Sequence, residues 1–208
     1  TFATRLTSAE WWKVFAPPGQ PVNVTVINPD GVRTTARSFV RAGTAGAVTA
    51  VSAANFSADS LAPEAIAAAF GTNLATTTMI ANSTPLPTDL AGTKVRINGE
   101  LAPLFFVAPT QINFLVPAGV QTGSAVIEII SADGAISRGT VNLATTAPSL
   151  FTSNASGVGA PAAIATKDGV NYLAVGNSDG SANPIDTGDY LVLFGTGMRK
   201  ASAAAVKI

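Results

Sequence analysis

The strongest constraint on this chain is a pattern used twice: apolar residues at alternate positions, an Asp-Gly turn, and a return run. Val22, Val24 and Val26 alternate with Asn23, Thr25 and Ile27, and Asn28-Pro29-Asp30-Gly31 then turns the chain into residues 32–40. Ala125, Ile127 and Ile129 alternate with Val126, Glu128 and Ile130, and Ser131-Ala132-Asp133-Gly134 leads into residues 135–143. A period of two places every second side chain on one face, as a strand with one buried side requires. Proline before Asp-Gly presets φ, and glycine accepts the left-handed position that closes the turn. The pattern predicts β-hairpins over residues 21–41 and 124–143, with Ile127 and Ile129 in a core and Glu128 outside it.

The approach to each hairpin also matches: Phe15-Ala16-Pro17-Pro18-Gly19 stands against Leu115-Val116-Pro117-Ala118-Gly119. A second similarity links the middle of the chain to its end. Ala67-Ala68-Ala69-Phe70-Gly71-Thr72-Asn73-Leu74 aligns with Leu191-Val192-Leu193-Phe194-Gly195-Thr196-Gly197-Met198. After each comes a short strand pattern, Lys94-Val95-Arg96-Ile97 and Ala205-Val206-Lys207-Ile208. These matches assemble into one repeat in three states: a C-terminal half at 1–42, a whole copy at 43–147, and an N-terminal half at 148–208. A unit of about 100 residues with short strands and Gly/Pro turns has the layout of an immunoglobulin-like sandwich. The expected fold class is all-β: tandem immunoglobulin-like β-sandwiches, one complete and two partial. Pro63-Glu64 could open a helix, but Phe70-Gly71-Thr72 ends it and the equivalent residues 189–194 have a strand pattern. A strand is therefore expected over 65–70, with Ile66, Ala68 and Phe70 sharing a core with Val95, Ile97, Phe106, Ile112, Phe114, Ile127 and Ile129.

The most specific residues lie in the middle copy. They are Phe70-Gly71-Thr72-Asn73-Leu74, then Leu86-Pro87-Thr88-Asp89-Leu90-Ala91-Gly92-Thr93-Lys94-Val95-Arg96-Ile97-Asn98-Gly99, then Ala102-Pro103-Leu104-Phe105-Phe106-Val107-Ala108-Pro109-Thr110-Gln111-Ile112-Asn113-Phe114-Leu115-Val116-Pro117. This run resembles an uncharacterised C-terminal module repeated in secreted proteins of Acidobacteria such as Solibacter, itself similar to IPT/TIG immunoglobulin-like domains. The first copy, with its Asn28-Pro29-Asp30-Gly31 hairpin, resembles the closing half of an IPT/TIG domain. The resemblance implies a spacer, display or adhesion unit of a bacterial secreted or cell-surface protein, with no catalytic residues to carry over. The motif residues also have physical tasks that need no ligand. Asn98-Gly99 is the favoured two-residue hairpin turn, and Pro103 and Pro109 belong at edges or crossovers rather than inside a ladder.

Composition removes most chemistry. The 208 residues carry 12 basic and 12 acidic side chains, a formal net charge of zero, with no His and no Cys. Polyanion binding needs an excess of Lys and Arg, so nucleic acid is excluded as a partner, and docking on an anionic membrane fails for the same reason. The apolar stretches are too short to insert in a bilayer. Thiol nucleophiles, disulfides, the usual zinc sites and the commonest general base are all missing. Neither Gly195-Thr196-Gly197 nor any Ser-x-x-Lys spacing supplies a phosphate loop or a lysine-activated serine. No enzyme activity and no cofactor or metal are expected. Asp179, Asp186 and Asp189, in a Gly-rich loop, are the one candidate oxygen cluster for Ca²⁺, but their spacing is not that of an EF-hand and turn formation accounts for them. Gln111 and Asn113 flank Ile112 in an apolar run; backbone bonding is their expected role, with a sugar contact as the alternative.

Trp11 and Trp12 are adjacent, so on a strand one indole enters a core and the other faces solvent or a partner. Aligning Pro17 with Pro117 puts Thr1 at the counterpart of Leu101, and Ile208 at that of Ile97. The two half-copies are therefore expected to unite, with Val206 and Ile208 beside Phe2 and Leu6, and the expected interface is Trp11, Trp12, Phe2, Leu6, Val206 and Ile208. The linkers 41–50 and 144–149 are short, and Pro148 restricts the second, so the copies are expected to join stiffly. The expected function is a non-enzymatic structural module, a spacer, adhesin segment or filament subunit that can assemble head-to-tail by completing split immunoglobulin-like domains, associating with itself or with neighbouring domains of a larger protein. The alternative is a carbohydrate-binding accessory domain resting on Trp11, Trp12, Tyr172 and Tyr190.

Overall fold

A computed structural model describes residues 21–24, 30–32, 37–40, 46–174 and 185–202. In the first copy, β1 (Pro21–Val24) and β2 (Arg37–Val40) pair antiparallel with Pro21 opposite Val40. The Asp-Gly turn between them has the same chemistry as its later counterpart. Val32 N–H donates to Asp30 Oδ1 at 3.0 Å and Ala135 N–H to Asp133 Oδ1 at 3.2 Å, with Gly31 at φ 82° and Gly134 at φ 81°.

The middle copy runs β3 (Val48–Ser52), β4 (Ile66–Gly71), β5 (Met79–Ile80), β6 (Lys94–Ile97), β7 (Glu100–Leu101), β8 (Leu104–Val107), β9 (Gln111–Leu115), β10 (Gly123–Ile130) and β11 (Ile136–Leu143). They form a five-stranded sheet, β3-β4-β9-β8-β5, and a four-stranded sheet, β11-β10-β6-β7, in which neighbouring strands pair antiparallel. The two sheets enclose one core: Ala67, Ala69, Leu104, Val107, Ile112 and Phe114 from one meet Val95, Ile97, Ala125, Ile127 and Ile129 from the other. No helix occurs among the described residues, and so none is long and apolar enough to cross a membrane. The chain is all-β, with an immunoglobulin-like sandwich at its centre.

The hairpin β10–β11 has the expected register. Ile127 and Ile129 are fully buried, while Glu128 lies outside opposite Arg138, whose Nε reaches its carboxylate at 2.7 Å. Asn98 and Gly99, at φ 49° and 89°, make the two-residue turn between β6 and β7. Strand β4 forms where expected but shows its other face. Ala65, Ala67 and Ala69 enter the core, whereas Ile66, Ala68 and Phe70 point away from it. Alanines on β4 leave room for the large Phe114 and Ile127 within the same layer, so the small side of the strand faces the bulky one. Phe106 also stays out of the core: a register shift between Leu104 and Phe106 puts Leu104 and Val107 inside instead.

The side of the sandwich between β3 and β11 is drawn shut. Gly46 N–H donates to Ser137 Oγ at 3.0 Å, Arg138 N–H donates to Gly46 O at 3.3 Å, and a Cβ on Gly139 would stand 2.1 Å from the Val48 carbonyl oxygen. Only a residue without a side chain fits there.

The third copy runs β12 (Ser149–Leu150), β13 (Ala163–Lys167), β14 (Val170–Leu173), β15 (Tyr190–Leu193) and β16 (Gly195–Thr196), with sheets ordered β14-β13-β15 and β12-β16. It repeats the opening of the middle copy in detail. Leu150 pairs with Gly195 as Val48 pairs with Gly71. Gly71 is hemmed in by Ala47 O and Leu74, and Gly195 by Ser149 O and Met198. Asn73 and its counterpart Gly197 both take positive φ, at 55° and 77°. Strands β12 and β13, taken in sequence, thus retrace β3, with residues 152–161 inserted between them as an excursion.

Two outcomes follow in urea unfolding of the whole chain. Ile127→Ala is expected to lower stability by about 2–5 kcal/mol, while Val126→Thr on the exposed face of the same strand stays within about 0.5 kcal/mol. Gly139→Ala is expected to destabilise as strongly as a core cavity, because β11 must retreat from β3; an unchanged midpoint would show that the closed side is not under that constraint.

Candidate functional site

Because β4 turns Ile66, Ala68 and Phe70 outward, the sandwich carries apolar side chains on a surface that water would otherwise cover. Their cross-strand neighbours on that face are Asn113, opposite Ala68, and Gln111, opposite Phe70. Phe105 from β8 and Phe56 from the loop after β3 rise beside them, and Phe56 and Phe70 meet with their rings tilted, centroids 6.3 Å apart and planes at 57°. Phe151, Thr152 and Ala155 of the third copy close the far side, leaving a recess of about 430 Å³. The sequence predicts that these two amides bond backbone; instead Gln111 Nε2 donates to Asn113 Oδ1 at 2.9 Å. The recess offers apolar walls and one amide pair, the means to hold a ring or an aliphatic side chain and orient one polar group.

The recess exists because the third copy is fastened to the middle one. Ile66 N–H donates to Thr196 Oγ1 at 2.7 Å, Ser52 Oγ to Ser149 Oγ at 3.0 Å, and Ala147 N–H to Gly197 O at 3.0 Å. Arg199 Nε approaches Glu64 Oε1 at 3.7 Å. Gly197 is required at this contact: its φ is 77°, and a Cβ there would stand 2.0 Å from Ala147 O. The linker around Pro148 is therefore pinned on both sides. Of the other expected linker, 41–50, residues 41–45 lie outside the described residues, and residues 48–50 are not linker but the start of strand β3.

A second surface lies on the third copy. Tyr190, Val192 and Phe194 are 78%, 50% and 45% exposed, and Leu191 on the opposite face is 40% exposed. The loop before β15 is tied down locally. Asp189 accepts from the Tyr172 hydroxyl at 2.8 Å and from Asp186 N–H at 3.1 Å, while Lys167 bonds Asp186. Asp186 and Asp189 are thereby occupied with turn and cross-strand partners; Asp179, the third carboxylate of the calcium alternative, lies outside the described residues. No group of three or more His, Cys, Asp or Glu side chains gathers for a metal among the described residues. Donation to Asp189 holds the Tyr172 hydroxyl above the ordinary tyrosine range, and the bond to Asp186 raises the Lys167 ammonium likewise.

Of the residues singled out in the sequence, Phe2, Leu6, Trp11, Trp12, Val206 and Ile208 lie outside the described residues. Tyr172 is engaged by Asp189, and Tyr190 is open on β15. The aromatic trio Phe56, Phe105 and Phe151 had no motif to announce it. The available signal was that Ile66 and Phe70 are large on one side of a strand whose other side is alanine.

No family model matches the chain, and no curated protein matches it. Among solved structures, one match is the Bacteroides ovatus mixed-linkage glucan utilization locus protein SGBP-B in complex with a mixed-linkage heptasaccharide. It has 12% identity and a TM-score of 0.32 over 83% of this chain, and this chain spans 46% of that one. A likeness at that level carries no function across.

The tyrosine tie has a pH signature. A folded-state pKa raised above the unfolded value means that the contribution is fully present below the unfolded pKa and is lost as pH rises through the folded one. The β14-β13-β15 sheet is therefore expected to loosen as pH rises through the Tyr172 ionisation. In a Tyr190→Phe background, Asp189→Asn is expected to move the phenolate absorbance titration of Tyr172 down towards the ordinary range. An unmoved curve would show that Asp189 does not hold it.

Proposed function

We propose that this chain is a non-enzymatic structural module of a bacterial secreted or cell-surface protein, a spacer, adhesin segment or filament subunit built of immunoglobulin-like units in series. The observation that carries this reading is the fastening of the third copy to the middle one, where the hydroxyl of Thr196 on strand β16 accepts from the first N–H of the other unit's strand β4. Units joined by backbone and hydroxyl bonds, with a glycine fitted against a carbonyl, hold a fixed angle and transmit load, which is what a spacer does and a flexible tether does not. The resemblance of the middle copy to the Acidobacteria repeat module and to IPT/TIG domains supports the same reading. So does the lack of any His or Cys, which leaves acid–base and thiol chemistry without their usual carriers. The partners are then other sandwiches: further copies, or neighbouring domains of a larger protein. With zero net charge, nucleic acid is not among them.

A carbohydrate-binding accessory role is the second reading, and the recess beside Gln111 and Asn113 favours it, because aromatic walls with one amide pair suit a pyranose ring.

A glycan array with polysaccharide pull-down separates the two. The structural reading expects no retention of the 208-residue chain on any sugar. Specific retention that disappears in Phe105→Ala and Phe151→Ala would overturn it in favour of the accessory role.

A further inference from the structure

The face of β4 that turns away from the sandwich core is nonetheless dry. Ala54 and Ala68 are 2% and 1% exposed, yet neither belongs to the core, and both line the recess. Across the recess stand Thr152 and Ala155 of the excursion 152–161, with Phe151 just before it. The excursion is a compact loop whose ends meet: Thr152 bridges Pro161, and Ser153 N–H donates to Ala160 O at 3.0 Å. Its interior is bonded too. Gly157 N–H donates to Thr152 Oγ1 at 3.0 Å and Ala155 N–H to Thr152 O at 3.0 Å, while Ser156 Oγ lies 2.8 Å from Asn154 Oδ1 and from Val158 O. The loop carries no charged residue, and among the described residues no hydrogen bond ties it to the middle copy. It touches that copy by packing alone.

The contact point is strained. Phe56 closes the turn after β3 at φ 55°, its N–H donating to Ser52 O at 3.0 Å. Glycine or asparagine ordinarily takes that conformation, and a bulky residue there is an outlier. The ring is used: it leans on Phe70, and Gly157 rests so close that a Cβ at 157 would stand 2.7 Å from Phe56 Cδ2. A residue unsuited to its backbone is kept where its side chain has a task, and here the task is to seat the loop. We propose that residues 152–161 are a lid, which lifts off the middle copy as one preformed piece while both copies stay folded and their joint holds. Lifting it breaks none of the hydrogen bonds among the described residues, whereas opening the joint would break those of Thr196, Ser149 and Gly197. The lid is therefore the part of the junction that opens first. It uncovers Ile66, Ala68 and Phe105, an apolar patch beside the amides of Gln111 and Asn113. Such a lid governs access to the recess in a spacer and in a sugar-binding domain alike.

The chain has no cysteine, so a single introduced thiol reports the lid. In the 208-residue chain, Ala68→Cys places the thiol in the recess, and Ala69→Cys, one residue on, places it in the core. Without denaturant, iodoacetamide is expected to label the Ala68→Cys thiol at least about tenfold faster than the Ala69→Cys thiol, which reacts only on global unfolding. Equal rates, each following the urea stability of its own variant, overturn the lid. Replacing residues 154–159 by Gly-Gly sets a two-residue turn across the Ser153–Ala160 pair. It is expected to speed the Ala68→Cys reaction and to leave that of Ala69→Cys unchanged; no effect on the first overturns the lid. Thr196→Val removes the joint's hydroxyl instead and is expected to leave Ala68→Cys labelling as it was. A rate raised as much as by trimming the loop shows the third copy moving as a whole and overturns a lid that lifts alone. Phe56→Asn relieves the turn but removes the ring, so Ala68→Cys is expected to react faster at an unlowered urea midpoint. An unchanged rate overturns the seat at Phe56. Labelling rates are read without any sugar, so they stand apart from retention on polysaccharide.

Discussion

A β-sheet with one apolar face is stable only when something dry covers that face, and each part of this structure is an answer to that requirement. In the middle copy the cover is a second sheet. Ile127 and Ile129 on β10 find Ala67 and Ala69 on β4 and Phe114 on β9 across a shared core, and burying each large aliphatic side chain contributes about 1.5–3 kcal/mol. The closed side, where Gly139 lets β11 reach the Val48 carbonyl, is a consequence of that packing: two sheets held this near at one margin need a position without a Cβ. In the third copy the same requirement is met only in part. Its inner face is buried at Ala163 and Ala165, while Tyr190, Leu191 and Val192 on β15 are exposed and, among the described residues, β15 pairs with β13 alone.

The hairpins and the all-β class were legible in the sequence because their signals are local. Asp30-Gly31 and Asp133-Gly134 specify a turn by conformation and by an aspartate bonding the N–H two residues on, and neither depends on what lies across the core. The register of β10 was legible because Glu128 is polar between two isoleucines. Strand β4 had no such marker. Ile66-Ala67-Ala68-Ala69-Phe70 is apolar on both faces, so a period of two cannot say which face goes inward; only the volume of the partners across the core decides, and it favours the alanines. The recess was illegible for the same reason. Its wall joins Ile66 and Ala68 to Phe105, displaced by a register shift, and to Phe151 from another copy, and none of these relations is written at short range.

Gln111 and Asn113 are also instructive. Two amides separated by one apolar residue were expected to satisfy backbone, yet they lie on the outer face and bond one another. On a central strand the backbone groups are already paired with the neighbouring strands, so side-chain amides on that strand have only each other, water or a ligand to turn to. The carboxylates of residues 186–189 are the reverse case. There the backbone is irregular and offers free N–H groups, and Asp189 takes one of them together with the Tyr172 hydroxyl.

The bond from Ile66 N–H to Thr196 Oγ1 reaches beyond the angle at which two copies meet. Ile66 begins strand β4, an inner strand of one unit, and Thr196 lies in strand β16, whose pairing with β12 exists only while the next unit is folded. Pulling the later unit apart strips a partner from the earlier one at the point where its own unravelling would start. Stability in such a stack is therefore a property of neighbours taken in pairs, as in a one-dimensional array whose members melt from the ends inward. A break at one position then weakens the adjacent unit first, and a long series of these units would yield progressively rather than all at once.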